Sequence, residues 1–236
     1  DNHEVYNNWG VGLAELAKSK TGEEAEQLYL ESLTKYQKAT DINPDMHEAY
    51  NNWGNGLAEL AKSKTGEEVE QLYLEAFTKY QKATDINPEM HAAYYNWGNN
   101  LVELARTKSG KEAEQLYLDA FTKHQKATDI KPDKHNSYHN WGVSLTELAK
   151  TKTGKEAEQL SQHAVEIFKK GIEVGGGHYN LACLYASKNY KKEALHHLDI
   201  SLQNDEIPTL FVKEDEDWEV FLRDDDFNIL LNKYEK

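Results

Sequence analysis

The sequence is short of several things. It has one cysteine, Cys183, in 236 residues, so no disulfide closes within the chain. No N-x-Ser/Thr acceptor occurs either, and a reducing, cytoplasmic setting is expected. No apolar run nears the ~20 residues that cross a bilayer. Basic residues are scarce, with 27 Lys plus Arg against 41 Asp plus Glu, a net charge of −14. Such a surface repels a phosphate backbone and anionic lipid, so neither nucleic acid nor membrane is an expected partner. The chain opens at Asp1 without Met, as a trimmed chain does, which leaves room for a removed targeting segment.

What is present is repetition. Trp9, Trp53, Trp97 and Trp141 recur at a step of 44, as do His3, His47, His91 and His135. Gly22, Gly66, Gly110 and Gly154 keep the step, and so do Pro44, Pro88 and Pro132. Segments 3–46 and 47–90 differ at six of 44 positions. A period of this size is the mark of one supersecondary unit stacked on itself.

Each unit reads as two helices. In 47–90, Tyr50, Trp53, Leu57, Leu60 and Ala61 form one helical stripe. Val69, Leu72, Tyr73, Ala76, Phe77, Tyr80, Ala83 and Ile86 form a second. Between the stripes, Thr65 and Glu68 have capping-box spacing, repeated as Thr21/Glu24, Ser109/Glu112 and Thr153/Glu156. The prolines fall where each second helix must end.

Tyr50, Trp53-Gly54 and Leu57, followed by Ala76, Tyr80, Ala83 and Pro88, resemble the tetratricopeptide repeat (TPR). The resemblance implies an all-α, right-handed helical-hairpin solenoid, a TPR-like superhelix. The departure is length, 44 residues against about 34, with the excess expected at the tip of each hairpin. The expected organisation is four long repeats over 1–177, a standard-length repeat over 178–208, and a capping helix of the TPR type over 209–236. By segment, 3–46 and 47–90 each carry four bases and eight acids, 91–177 is near neutral, and 178–236 has seven bases and thirteen acids. Both ends of the chain are therefore acidic.

In the resembled family the first helix of each hairpin lines the concave surface. That implies a ladder of Asn8, Asn52, Asn96 and Asn140 along a groove, with Asn55 and Asn99 beside it. Asn both donates and accepts, so such a ladder suits an extended peptide backbone. Tyr95 and His139 replace Asn51 in the third and fourth units and offer a more aromatic wall. Lys and Arg at the positions of the family's carboxylate clamp are missing, with Asn7, Val11, Asn52, Ala92 and Asn96 there instead.

Metal and catalysis find no foothold. His178 and Cys183 are five apart, and His196 and His197 point to different faces of a helix, so no zinc set converges. The acids at 214–217 and 224–226 lack the spacing of a calcium loop, and Asp224–Asp226 read instead as a cap for the helix bearing Phe227. No phosphate loop, dinucleotide fingerprint, zincin motif or nucleophile elbow occurs. The expectation is a non-enzymatic scaffold or adaptor without cofactor or metal, binding an extended segment of a partner protein. The alternative is a structural solenoid that stacks end to end into homo-oligomers through an uncapped N-terminal face.

Overall fold

The structure, a computed structural model, describes residues 2–235. Among these residues there is no strand, and the chain is a succession of helices. Four hairpins come first: α1 (Asn2–Lys18) with α2 (Gly22–Ile42), α3 (His47–Ala61) with α4 (Glu67–Ile86), α5 (His91–Arg106) with α6 (Gly110–Ile130), and α7 (His135–Lys150) with α8 (Gly154–Glu173). A shorter pair follows, α9 (Tyr179–Ser187) with α10 (Lys191–Gln203). No described helix is long and apolar enough to cross a membrane.

Each long hairpin closes on the same contact. A glycine of the first helix lies flat against a ring of the second: Gly10 on Tyr36, Gly54 on Tyr80, Gly98 on His124, Gly142 on Phe168. A methyl on Gly54 would stand 2.6 Å from the Tyr80 ring, so the helices approach as closely as they do because no side chain intervenes. Each second helix also carries a small, fully buried residue at the same place in the repeat: Ser32, Ala76, Ala120 and Ala164.

The hairpin tips differ from the expected capping boxes. No N-cap side chain at α2, α4, α6 or α8 accepts a cap hydrogen bond. The chain enters each of these helices through Gly22, Gly66, Gly110 or Gly154, at φ of +59 to +66°, a left-handed turn that favours glycine. The glutamates meant for the boxes pair with a lysine four residues earlier instead: Lys20–Glu24 at 2.8 Å, Lys108–Glu112 at 3.0 Å and Lys152–Glu156 at 3.2 Å. Lys64 and Lys108 also tie neighbouring hairpins, Lys64 to Glu26 and Lys108 to Glu70. At the other end of the hairpins Asn43 and Asn87 close the turn, each accepting a backbone N–H two residues on, before the chain re-enters a first helix.

The described residues pack as two compact units, divided between Lys131 and Pro132. The first holds three long hairpins. The second holds the fourth long hairpin, the short pair and the tail. The tail is three short helices where a single capping helix was expected: α11 (Thr209–Glu214), a 3-10 helix (Glu216–Phe221) and α12 (Asp225–Tyr234). Two aspartates make the breaks. Asp215 accepts the Asp217 N–H at 3.0 Å and Asp224 accepts the Phe227 N–H at 3.2 Å, the latter being the cap read from the sequence. Val212, Trp218, Phe221, Phe227 and Leu231 are buried against Ala182, Cys183, Ala186, Ala194, Leu198 and Leu202, so the tail covers the apolar side of α9 and α10.

Candidate functional site

In the first unit the first helices α1, α3 and α5 present a continuous row of amides. Asn7 Nδ2 donates to Asn8 Oδ1 at 3.4 Å, and Asn52 Nδ2 donates to Asn7 Oδ1 at 3.1 Å. Asn51 Nδ2 donates to Asn52 Oδ1 at 3.3 Å, and Asn96 Nδ2 donates to Asn51 Oδ1 at 3.2 Å. The row has an inner rail and an outer one. Asn7 and Asn51 are 7% and 6% exposed and bridge successive helices; Asn8 is exposed, and Asn52 and Asn96 are half-buried. Each outer amide is thus held in orientation by a buried one. With two N–H groups and two lone pairs per amide, Asn52 keeps one of each for a ligand.

The other expected site residues are placed differently. Asn55 accepts a hydrogen bond from Tyr80 Oη at 2.8 Å, and the same hydroxyl accepts from Asn100 Nδ2 at 2.8 Å. Asn99 Oδ1 lies 3.0 Å from His124 Nε2. Asn55 and Asn99 therefore brace the ring that fills the glycine notch of a hairpin. Burial pushes the Tyr80 hydroxyl pKa well up, so it stays a neutral donor and acceptor. Tyr95 takes the inner-rail position in α5; it stacks on His91 at 6.0 Å and tilts toward His124 at 6.5 Å. In the second unit, Asn140 is half-buried on α7, and His139 Nδ1 lies 2.9 Å from Asn180 Nδ2 and edge-on to Phe168.

Sequence reasoning missed a second series. Lys35 lies over the Trp9 ring at 3.9 Å, Lys79 over Trp53 at 3.7 Å and Lys123 over Trp97 at 3.5 Å. Burial lowers the pKa of Lys79 and Lys123, and the aromatic faces give these cations a partner in place of water. The signal was in the repeat: each lysine follows its tryptophan by the same interval, and Ile167 takes the place in the fourth hairpin.

The packing of these hairpins recurs in solved structures. The crystal structure of TTC0263, a thermophilic TPR protein of Thermus thermophilus, matches 98% of this chain and 99% of its own length, with a TM-score of 0.57 at 17% identity. The chain has the tetratricopeptide-repeat fold. A MamA RS-1 ArsTM double mutant matches 87% of this TPR chain and 96% of its own, at TM-score 0.61 and 15% identity. YrrB, described as a TPR protein with an unusual peptide-binding site, covers 84% of each chain at TM-score 0.54 and 22% identity. Residues 94–188 of the TPR chain match the family described as plant specific mitochondrial import receptor subunit TOM20. No curated protein matches the sequence.

Proposed function

We propose that this TPR chain is a non-enzymatic interaction module that holds an extended segment of a partner protein along the amide row of α1, α3 and α5. The observation that carries this reading is the double rail. Buried Asn7 and Asn51 orient Asn8, Asn52 and Asn96, which retain capacity for peptide N–H and C=O groups. Neighbouring helices pack at about 10 Å and an extended chain rises about 3.3 Å per residue, so one rung serves about three residues of ligand. Tyr95 ends the inner rail and offers a ring to an anchoring side chain, and Asn140 and His139 offer a comparable edge in the second unit. The likeness of residues 94–188 to an import receptor subunit supports a receptor use, in mitochondrial import rather than free in the cytoplasm.

The test is fluorescence anisotropy of the purified chain against labelled peptides of about ten residues, a length that spans the row. Asn52→Ala with Asn96→Ala should weaken the best binder about tenfold or more, as expected for two lost hydrogen bonds. Equal affinity in the double variant, with unchanged helicity, overturns the reading. A second reading is favoured by α1, where Val5, Trp9 and Leu16 are 62%, 49% and 47% exposed: copies stacking end to end. A molar mass by light scattering that rises with concentration would select it.

A further inference from the structure

The first helix carries a stripe that its later copies cover. Val5, Trp9, Gly12 and Leu16 lie on one face of α1 at steps of four, three and four, and all four are exposed. The same places in α3 are Ala49, Trp53, Gly56 and Leu60, three of them buried and Trp53 half-buried. There the stripe seats the second helix of the hairpin before it. A methyl on Gly56 would meet Leu33 of α2 at 2.8 Å, and at the next copy Phe77 of α4 stacks on Trp97 of α5 at 6.4 Å. On α1 the seat is open, and a methyl on Gly12 would find no atom within 4 Å.

The α1 stripe also departs from its copies. Segments 3–46 and 47–90 differ at six positions, and two of these fall on the exposed side of α1. Val5 stands where α3 has Ala49, and Val11 where it has Asn55. Ala49 and Ala93 are fully buried, and a valine in that place demands the room of two more methyl groups. The changes therefore enlarge the apolar surface of α1 while spoiling it as a seat for a hairpin of the same kind. Trp9 is held ready on that surface, with Lys35 over its ring at 3.9 Å and Tyr6 stacked at 6.4 Å.

We propose that the occupant is a second copy of this chain, paired across a two-fold axis through antiparallel α1 helices. A stripe spaced four, three and four reads the same in both directions, as an isologous contact requires. One register then sets Val5 against Leu16 of the partner subunit and Trp9 against the partner's Gly12, each contact made twice. The largest side chain of the stripe meets its one open notch. Of the flanking residues Tyr6, Asn8, Leu13 and Glu15, only Glu15 is charged, and Lys18 of its own helix pairs with it at 2.6 Å. The proposal rests on the second reading of function, self-association through α1, and closes it at two copies. Asn52 and Asn96 lie on α3 and α5, outside the stripe, and stay available to a peptide.

Sedimentation equilibrium of the full chain over a concentration series is the test. The expected result is a monomer–dimer equilibrium whose mass levels at twice that of the chain. Leu16→Glu and Gly12→Glu should each weaken pairing at least tenfold with unchanged helicity. The register is read by a short bismaleimide: the chain carrying both Val5→Cys and Leu16→Cys should crosslink into dimers. Val5→Cys alone should not, because the two copies of residue 5 would lie about 16 Å apart along the helices. Monomer mass up to about 1 mM overturns the proposal and self-association with it, leaving the face to a different partner. A mass that climbs past two copies overturns the closed pair alone and keeps open stacking. Dimers that are as tight in both glutamate variants also overturn it, since they must form elsewhere.

Discussion

His197 shows how a single side chain can make stability depend on pH. Its Nδ1 lies 2.8 Å from that of His178, and the rings of His196 and Tyr185 stand 5.2 and 5.7 Å away. Burial lowers its pKa from 6.5 to about 4, and the charges of His178, His196 and Lys169 act in the same direction. The folded chain therefore binds this proton less readily than the unfolded one. Its contribution is complete above pH 6.5 and is lost as pH falls from 6.5 through 4, by about 2 kcal/mol once partial exposure is discounted. Urea midpoints between pH 7.5 and 4.5 should fall for the wild type and fall less for His197→Gln. In the sequence His196 and His197 point to different faces of one helix and no zinc set converges with His178; the α9–α10 packing brings His178 and His197 into contact, which spacing along the chain does not encode.

Within the hairpin the informative residues are the glycines of α1 and α3. Gly54→Ala places a methyl 2.6 Å from the Tyr80 ring and should cost about 2–3 kcal/mol, since the ring must move in a closed core. Gly12, also inside a helix, has no atom within 4 Å of an added Cβ, so Gly12→Ala should stabilise by about 0.5–1 kcal/mol. Chemical unfolding of the two variants checks both signs, and a loss in both would contradict the packing described. The helices and turns were legible because apolar spacing and proline position are local signals. The tip was not: Thr65 and Glu68 have the spacing of a capping box, but the left-handed Gly66 redirects the chain and Lys64 takes the glutamate at 3.6 Å.

At the scale of the molecule, a repeat protein is stabilised by interfaces between neighbours rather than by one central core. Phe227 is fully buried and stacks on Trp218 at 5.3 Å, deep in the cover over α9 and α10. Phe227→Ala should destabilise the second unit by about 3–5 kcal/mol. Hydrogen exchange should rise through residues 178–235 and stay unchanged in α1 to α4. Acceleration spread evenly over the chain would show one cooperative core instead.

By itself the sequence determined the helical hairpins, their period and the amphipathic faces, because each depends on spacing within about one helical turn or on an exact internal copy. It also singled out Asn8, Asn52 and Asn96. Only the tertiary structure decided what those amides do. Asn51 and Asn52 are adjacent in the chain, yet their partners Asn96 and Asn7 lie 45 residues away, on neighbouring first helices. It likewise separated Asn55 and Asn99 from the row by turning them to Tyr80 and His124. Hydrogen-bond partners are set by which helix faces meet, and that is decided by packing between elements rather than by the order of residues within one.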